Sequence, residues 1–191
     1  MIVPTMFSAL PSAFLVTAFL LAGSGCSPDN AAAGTSAGEA REIPQVEVLK
    51  ARMVVERDYR VELTVDRIAT YRDKRIQTFE GLSFREYGPD GVLRLEGDAD
   101  RGVFFLDSEN IELTGTVRFH SLLEGAELES ESLSWDQAER LLAGPPDGKV
   151  LLLRDDGSAV EGTGFRLKGR ENRILFSRDV SGRFSAEETS Q

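Results

Sequence analysis

The stretch NIELTGTVRF, residues 110 to 119, decides the fold class because its apolar and polar side chains alternate. Successive side chains of an extended strand point to opposite faces of a sheet. One face of this strand then carries Ile111, Leu113, Val117 and Phe119. The other face carries Glu112, Thr114, Thr116 and Arg118. The stretch therefore predicts a β-strand with one buried face and one face in water.

Similar stretches recur on both sides of this strand, separated by turn sequences such as GPDG at 88–91 and DDGS at 155–158. Four apolar residues that each open an alternating strand are spaced by 32, 33 and 32 residues: Leu63, Leu95, Leu128 and Val160. A second strand follows each of them after a polar turn. About four strand-turn-strand repeats predict an all-β, antiparallel jellyroll or sandwich, in which two sheets face one another across their apolar sides.

One segment also fits a short helix. In SWDQAERLLAG, residues 134–144, Ser134 and Gln137 have the spacing of a capping box and Gly144 would end the helix. An isolated helix of about nine residues would be marginal in water. The repeat register instead places a turn at 136–139 with a strand on either side, and we expect the turn.

The beginning of the chain is typical of a secreted lipoprotein. The only cysteine, Cys26, follows an apolar run, and a polar stretch follows it in turn. In such proteins the segment before the cysteine is removed and the cysteine carries lipid. We therefore predict a signal peptide at 1–25, lipidation of Cys26 and a flexible tether at 26–43. Because residues 2–25 are uncharged, an uncleaved N-terminal helix is the alternative anchor.

The charge balance excludes one class of partner. The chain has 32 acidic and 22 basic residues, for a net charge of -10, so it lacks the basic footprint of a nucleic-acid-binding protein. The same balance argues against adhesion of the domain surface to anionic lipid head groups. Membrane attachment is therefore assigned to the N-terminus.

Candidate catalytic groups are few. His120 is the only histidine and has no evident catalytic partner, and the chain has too few histidines and cysteines for a typical zinc site. Glu127, Glu129 and Glu131 alternate along one strand and are interpreted as a solvated outer face. GTGFRL at 162–167 lacks the third glycine of a dinucleotide-binding loop. The sequence predicts no enzyme, no metal site and no cofactor. A carbohydrate-processing enzyme using Glu127 or Glu129 would need a second carboxylate across a cleft.

The stretch GDADRGVFFLDSENIELTGTVRF, residues 97–119, resembles the signature of the periplasmic lipopolysaccharide-transport protein LptC and its OstA-like and LptA-like relatives. The matching positions are Ala99, Ile111, Leu113, Gly115 and Val117. Further on, the chain is similar to these proteins in a tryptophan-bearing turn at Trp135 and in the Gly-x-Gly-Phe segment that ends at Phe165. The similarity covers about residues 44 to 184.

The resemblance implies a slightly open jellyroll whose apolar groove holds the acyl chains of lipopolysaccharide or a related glycolipid. It further implies that lipid arrives from an inner-membrane ABC transporter and passes to a periplasmic bridge protein of similar fold through the C-terminal edge. We predict that the side chains facing this groove are Ile111, Leu113, Val117, Phe119, Trp135, Leu152, Phe165 and Phe176.

These expectations place a jellyroll domain at 44–184 and a disordered tail at 185–191, in the periplasm and anchored to a membrane, with the inner membrane favoured. Family members usually keep a transmembrane helix, whereas this chain has the pattern of lipidation at Cys26. The competing hypothesis is an adaptor lipoprotein, a closed β-sandwich that binds another envelope protein and no lipid. A filled interior would favour the adaptor, and an apolar slot open at one end would favour the carrier.

Overall fold

The computed structural model describes residues 43–56, 59–169, 171 and 173–185, and within them every regular element is a β-strand. The all-β, antiparallel prediction is therefore confirmed. The predicted signal peptide, Cys26 and nearly all of the tether and tail lie outside the described residues. The strands are β1 (Val46–Glu56), β2 (Arg60–Tyr71), β3 (Ile76–Tyr87), β4 (Leu93–Phe105), β5 (Ile111–Ser121), β6 (Ala126–Asp136), β7 (Leu141–Ala143), β8 (Lys149–Arg154), β9 (Ala159–Thr163), β10 (Arg166–Lys168), β11 (Arg173–Leu175) and β12 (Arg178–Arg183).

The strands form one antiparallel sheet that branches at β6. Strands β1 to β6 pair in sequence order as a meander. The first part of β6 then pairs with β8, which leads to β9 and β12, and its last part pairs with β7, which leads to β10 and β11. Each long strand thus contributes one part to each of two facing layers.

A row of bends across the middle of the long strands separates these two layers. Lys50, Gly81 and Gly115 have left-handed backbone with φ of 54°, 61° and 95°, and each lies where the pairing register is interrupted. A Cβ atom at Gly81 would lie 2.2 Å from the Asp66 carboxylate, and one at Gly115 would lie 2.3 Å from that of Asp100. Glycine is required at both bends by the backbone and by this close approach.

We name the two layers by their residues. Half-sheet 1 contains 51–56, 60–65, 82–87, 93–99, 117–121 and 126–130 together with β8, β9 and β12. Half-sheet 2 contains 46–49, 67–71, 76–80, 101–105, 111–114 and 132–136 together with β7, β10 and β11. The hydrophobic core lies between them, because Leu128 and Val150 of half-sheet 1 join Leu133 and Leu142 of half-sheet 2 in one buried cluster.

The turn expected between β6 and the next strand is present. Residues 137–140 form the turn, and the backbone N–H of Glu139 donates to the Asp136 carboxylate at 2.8 Å. Arg140, the last turn residue, has left-handed backbone, as do Arg75 and Glu109 at the corresponding places before β3 and β5. The prediction of a turn in preference to a helix is confirmed.

One part of the repeat assignment was wrong. Leu63, Leu128 and Val160 lie in one row of paired residues across half-sheet 1, as their spacing suggested. Leu95 lies two residues away along β4, and Gly97 occupies its expected position. The reason is steric: a Cβ at Gly97 would lie 2.5 Å from the Phe84 ring and 2.7 Å from the Phe119 ring. The two rings fill the space above a glycine, so a leucine has no room there.

Candidate functional site

The space between the half-sheets is closed near the C-terminal strands. Phe165 is 1% exposed, and Val117 and Val150 are 0% exposed. The Phe165 and Phe176 rings lie 5.3 Å apart in a tilted arrangement. Gly162 accommodates Phe176, because a Cβ there would lie 2.9 Å from its ring. The aromatic pair therefore fills the interior where the two branches of the sheet meet.

The eight predicted groove residues all lie on the inner side or beside it. Val117 and Phe165 belong to the buried core cluster. Five others are partly buried and pack against that cluster: Leu113, Phe119, Trp135, Leu152 and Phe176. Ile111 is also partly buried and pairs with Trp135 across β5 and β6. Contact of these eight side chains with lipid stays a prediction.

A cavity of about 20 Å³ lies within this end of the interior. It is lined by Leu95, Phe119, Ser121, Ala126, Leu128, Leu152, Phe165, Leu167 and Ile174. Nearly all of its surface is apolar, and its volume is space for about one water molecule. An acyl chain would therefore require the half-sheets to separate at this point.

The other end of the interior is open at the edge strand β1. Val46 and Val48 of half-sheet 2 are each 43% exposed, and Val55 of half-sheet 1 is 41% exposed. These valines pair with Thr70, Ile68 and Val61 of β2, whose side chains are only partly buried. The inward valines of β1 are thus exposed, whereas Val65 of the neighbouring strand β2 is 0% exposed. We call this inner face, covered by the C-terminal strands at one end and exposed along β1 at the other, the slot.

The ends of the sheet offer unpaired strand edges. Among the described residues, β1 pairs only with β2, β11 only with β10, and β12 only with β9. Every residue of β12 is exposed, and nine of the eleven residues of β1 are exposed. Edges of this kind can accept a strand from another sheet.

The outer face carries cross-strand ion pairs. The Arg118 guanidinium lies 2.9 Å from Glu127 and 3.1 Å from Glu129, and its hydrogen bond with Glu129 raises the pKa of Arg118 above the ordinary value. Glu62 accepts hydrogen bonds from Arg60 and Arg52, and the Arg60 bond is the main cause that lowers the pKa of its carboxyl. The partner of Glu127 and Glu129 on the outer face is thus an arginine. Exposed pairs of this kind add little to stability.

Two structural findings bear on other functional classes. Within the described residues, no group of three or more His, Cys, Asp or Glu side chains is arranged to hold a metal ion. The same part of the chain contains no helix of the length and apolarity needed to span a bilayer.

Sequence reasoning missed one polar residue of the interior, Glu86. It is 6% exposed and lies on the inner face of β3, in register with Val61 and Leu95. Burial raises the pKa of its carboxyl, and the charge of Arg94 opposes this only in part. The alternation Leu82, Phe84, Glu86 was the available signal, and the sequence analysis drew nothing from it.

No protein-family model and no curated protein matches the chain. A solved structure, the LptA-homologous periplasmic component LptH of the lipopolysaccharide transport device from Pseudomonas aeruginosa, is similar to it with a TM-score of 0.49 and 7% sequence identity. The similar region covers 66% of this chain and 95% of that chain. A likeness this remote assigns neither family nor function to the chain.

Proposed function

We propose that this chain is a periplasmic carrier that holds the acyl chains of lipopolysaccharide or a related glycolipid between its half-sheets. The observation that carries the proposal is the exposure of inward apolar side chains along the edge strand β1, 43% at Val46 and at Val48, against 0% at Val117 in the core. An open apolar slot removes methylene groups from water, and each buried CH₂ contributes about 0.8 kcal/mol. Acyl chains then lie against the inner faces of β1 to β3 and reach Phe119 as the half-sheets separate.

The charge distribution supports binding through the acyl chains alone. The net charge is -10, and the outer face is covered by carboxylates and arginines in pairs. Phosphorylated sugars would be repelled by an acidic surface and stay in water. The apolar slot is then the part of the molecule that retains the lipid.

In the full proposal the chain is an LptC-like protein that receives lipid from an inner-membrane ABC transporter and passes it towards the outer membrane. The resemblance of residues 97–119 to the LptC signature supports this role. Lipidation of Cys26, or an uncleaved N-terminal helix, anchors the domain on the periplasmic side of the inner membrane. Cys26→Ser distinguishes the two anchors, because only the lipid anchor is lost in that variant.

Transfer to a bridge protein of similar fold uses the free strand edges at the C-terminal end. Val180 of β12 is 56% exposed on such an edge. We expect Val180→Lys to abolish crosslinking to the bridge protein, because a charged edge residue disfavours strand addition. Val92→Lys is the matched control, since Val92 is 58% exposed but lies in the connection between β3 and β4. Equal crosslinking of both variants would exclude assembly through β12.

Native mass spectrometry of the protein purified from membranes tests the lipid-binding part of the proposal. The expected result is a population with the added mass of a glycolipid, released when the protein is unfolded. A protein that is folded, abundant and free of lipid in every preparation would contradict it.

The closed end of the interior favours a second candidate, an adaptor that binds another envelope protein and no lipid. The cavity of about 20 Å³ beside Phe119 and Phe165 is too small for even a short acyl chain. For an adaptor, the exposed valines of β1 would be covered by a partner protein. Lipid-free preparations that retain a stoichiometric protein partner would support this alternative.

A further inference from the structure

Glu86 is a carboxyl group inside an apolar interior. Its neighbours in register, Val61 and Leu95, are apolar, and the preceding inward residue of its own strand is Phe84. With 6% of its surface exposed, it is as buried as the core leucines around the cavity. A buried carboxyl is costly unless it forms hydrogen bonds.

No hydrogen bond joins the Glu86 carboxyl to another described residue, and its oxygens are not among the buried unpartnered atoms, so the small exposed part of this residue includes the carboxyl. Arg94 acts on it only through its charge, and the Arg94 guanidinium instead pairs with Asp90 at 3.4 Å. On the two neighbouring strands, the residues paired with Glu86 are the apolar Val61 of β2 and Leu95 of β4. Within the described residues, only the charge of Arg94 offsets the cost of burying this side chain, and its carboxyl stays accessible to a polar group in the slot.

The position of Glu86 is the second relevant observation. Glu86 belongs to a row of paired residues that crosses half-sheet 1 from strand to strand. In order from the open edge, the row contains Val55, Val61, Glu86, Leu95 and Ser121. Leu95 and Ser121 line the cavity. A chain that enters at β1 and moves along this row reaches Glu86 before it reaches the cavity.

We propose that Glu86 is the polar recognition residue of the slot, and that its carboxyl hydrogen bonds to a hydroxyl, ester or amide group at the head of a bound acyl chain. The inference rests on the proposed carrier function and names the ligand chemistry that the slot selects. A protonated carboxyl both donates and accepts, so it matches any of these groups. Burial raises the pKa of this carboxyl, so its protonated form persists to a higher pH than that of an exposed glutamate.

Competition between two single-chain probes tests the proposal. Dodecanol and dodecyl chloride have the same alkyl chain and differ only in the terminal group, which is a hydroxyl in the first and a chlorine in the second. Each displaces a fluorescent apolar dye, N-phenylnaphthylamine, from the full chain. We expect Glu86→Leu to shift the ratio of the two affinities towards dodecyl chloride by about three- to tenfold, since one hydrogen bond is lost. Glu86→Gln retains a hydrogen-bonding group and keeps the ratio close to that of the wild type.

The control is Glu112→Leu, the same substitution at an outward position of β5, which leaves the ratio unchanged. If both probes displace the dye but Glu86→Leu keeps the wild-type ratio, the role of Glu86 is overturned while the carrier function stands. If neither probe displaces the dye from the wild type, the carrier function itself fails.

An infrared measurement on the wild type decides the question even if Glu86→Leu does not fold. The carbonyl band that Glu86→Gln removes identifies the Glu86 carboxyl. We expect this band to shift when dodecanol binds and to stay in place when dodecyl chloride binds. An unshifted band with dodecanol bound would overturn the proposal.

Discussion

The two ends of the interior are built from the same alternating pattern yet differ in what covers them. At β5 and β6 the inward side chains face two branches of C-terminal strands, with Phe165 and Phe176 between them, and they form a core. At β1 the same kind of side chain, in Val46 and Val48, lies at an edge and stays exposed. Alternation therefore specifies which face is apolar, and the position in the sheet decides whether that face becomes core or slot.

The largest expected effect is at the closed end. Phe165→Ala should lower the free energy of unfolding by about 3 to 5 kcal/mol, because it leaves a cavity in a filled core. Val48→Ala at the open end should cost about 1 kcal/mol or less, since much of that side chain is already in water. Denaturant unfolding of the two variants measures the difference. Equal losses would mean that both ends are core, and the distinction between them would fail.

A smaller effect on stability is expected at Glu86, which lies between the closed and the open end of the interior. Burial raises the pKa of its carboxyl, so between the ordinary and the raised pKa the folded state holds more protons than the unfolded state. The contribution of Glu86 therefore lowers stability as pH rises through that interval. Glu86→Gln should be more stable than the wild type at neutral pH and should lose this pH dependence. Unfolding curves from pH 4 to pH 8 measure it, and parallel profiles for the two proteins would contradict it.

Surface carboxyls change the stability with pH in the opposite direction, and they do so at lower pH. Hydrogen bonds from Arg60 and from backbone N–H groups lower the pKa of Glu62, Asp90 and Asp156. Their stabilising contributions are present above the ordinary carboxyl pKa and are lost as pH falls through the lowered values. The effect of Glu86 can thus be separated from theirs by working above pH 5, where these three groups are ionised.

The fold class could be predicted from the sequence because alternation is a direct consequence of strand geometry. The repeat register outweighed a capping-box pattern at Ser134 and predicted a turn at 136–139, and the structure has the turn one residue later, at 137–140. The alternation of residues 111–119 also placed Leu113 and Phe119 inside and Arg118 outside, as the structure has them.

The bends between the half-sheets could not be predicted because their residues look like ordinary polar and turn residues. Asp100 and Gly115 follow Asp66 and Gly81 by 34 residues, but only the structure shows that each glycine lies beneath an aspartate carboxylate. The Asp100 carboxylate also accepts the backbone N–H of Thr116 at 2.9 Å. The leucine period misplaced Leu95 because the sequence does not show that the Phe84 and Phe119 rings fill the space above Gly97.

The central claim is that lipid occupies the space between the half-sheets, and site-specific photo-crosslinking in cells tests it most directly. A photo-reactive amino acid is placed at the inward positions Leu113 and Phe119 and, as neighbouring outward controls, at Glu112 and Arg118. The account predicts covalent glycolipid adducts at Leu113 and Phe119 and none at the two controls. If all four proteins are folded and exported and neither inward position yields a lipid adduct, the carrier function is contradicted.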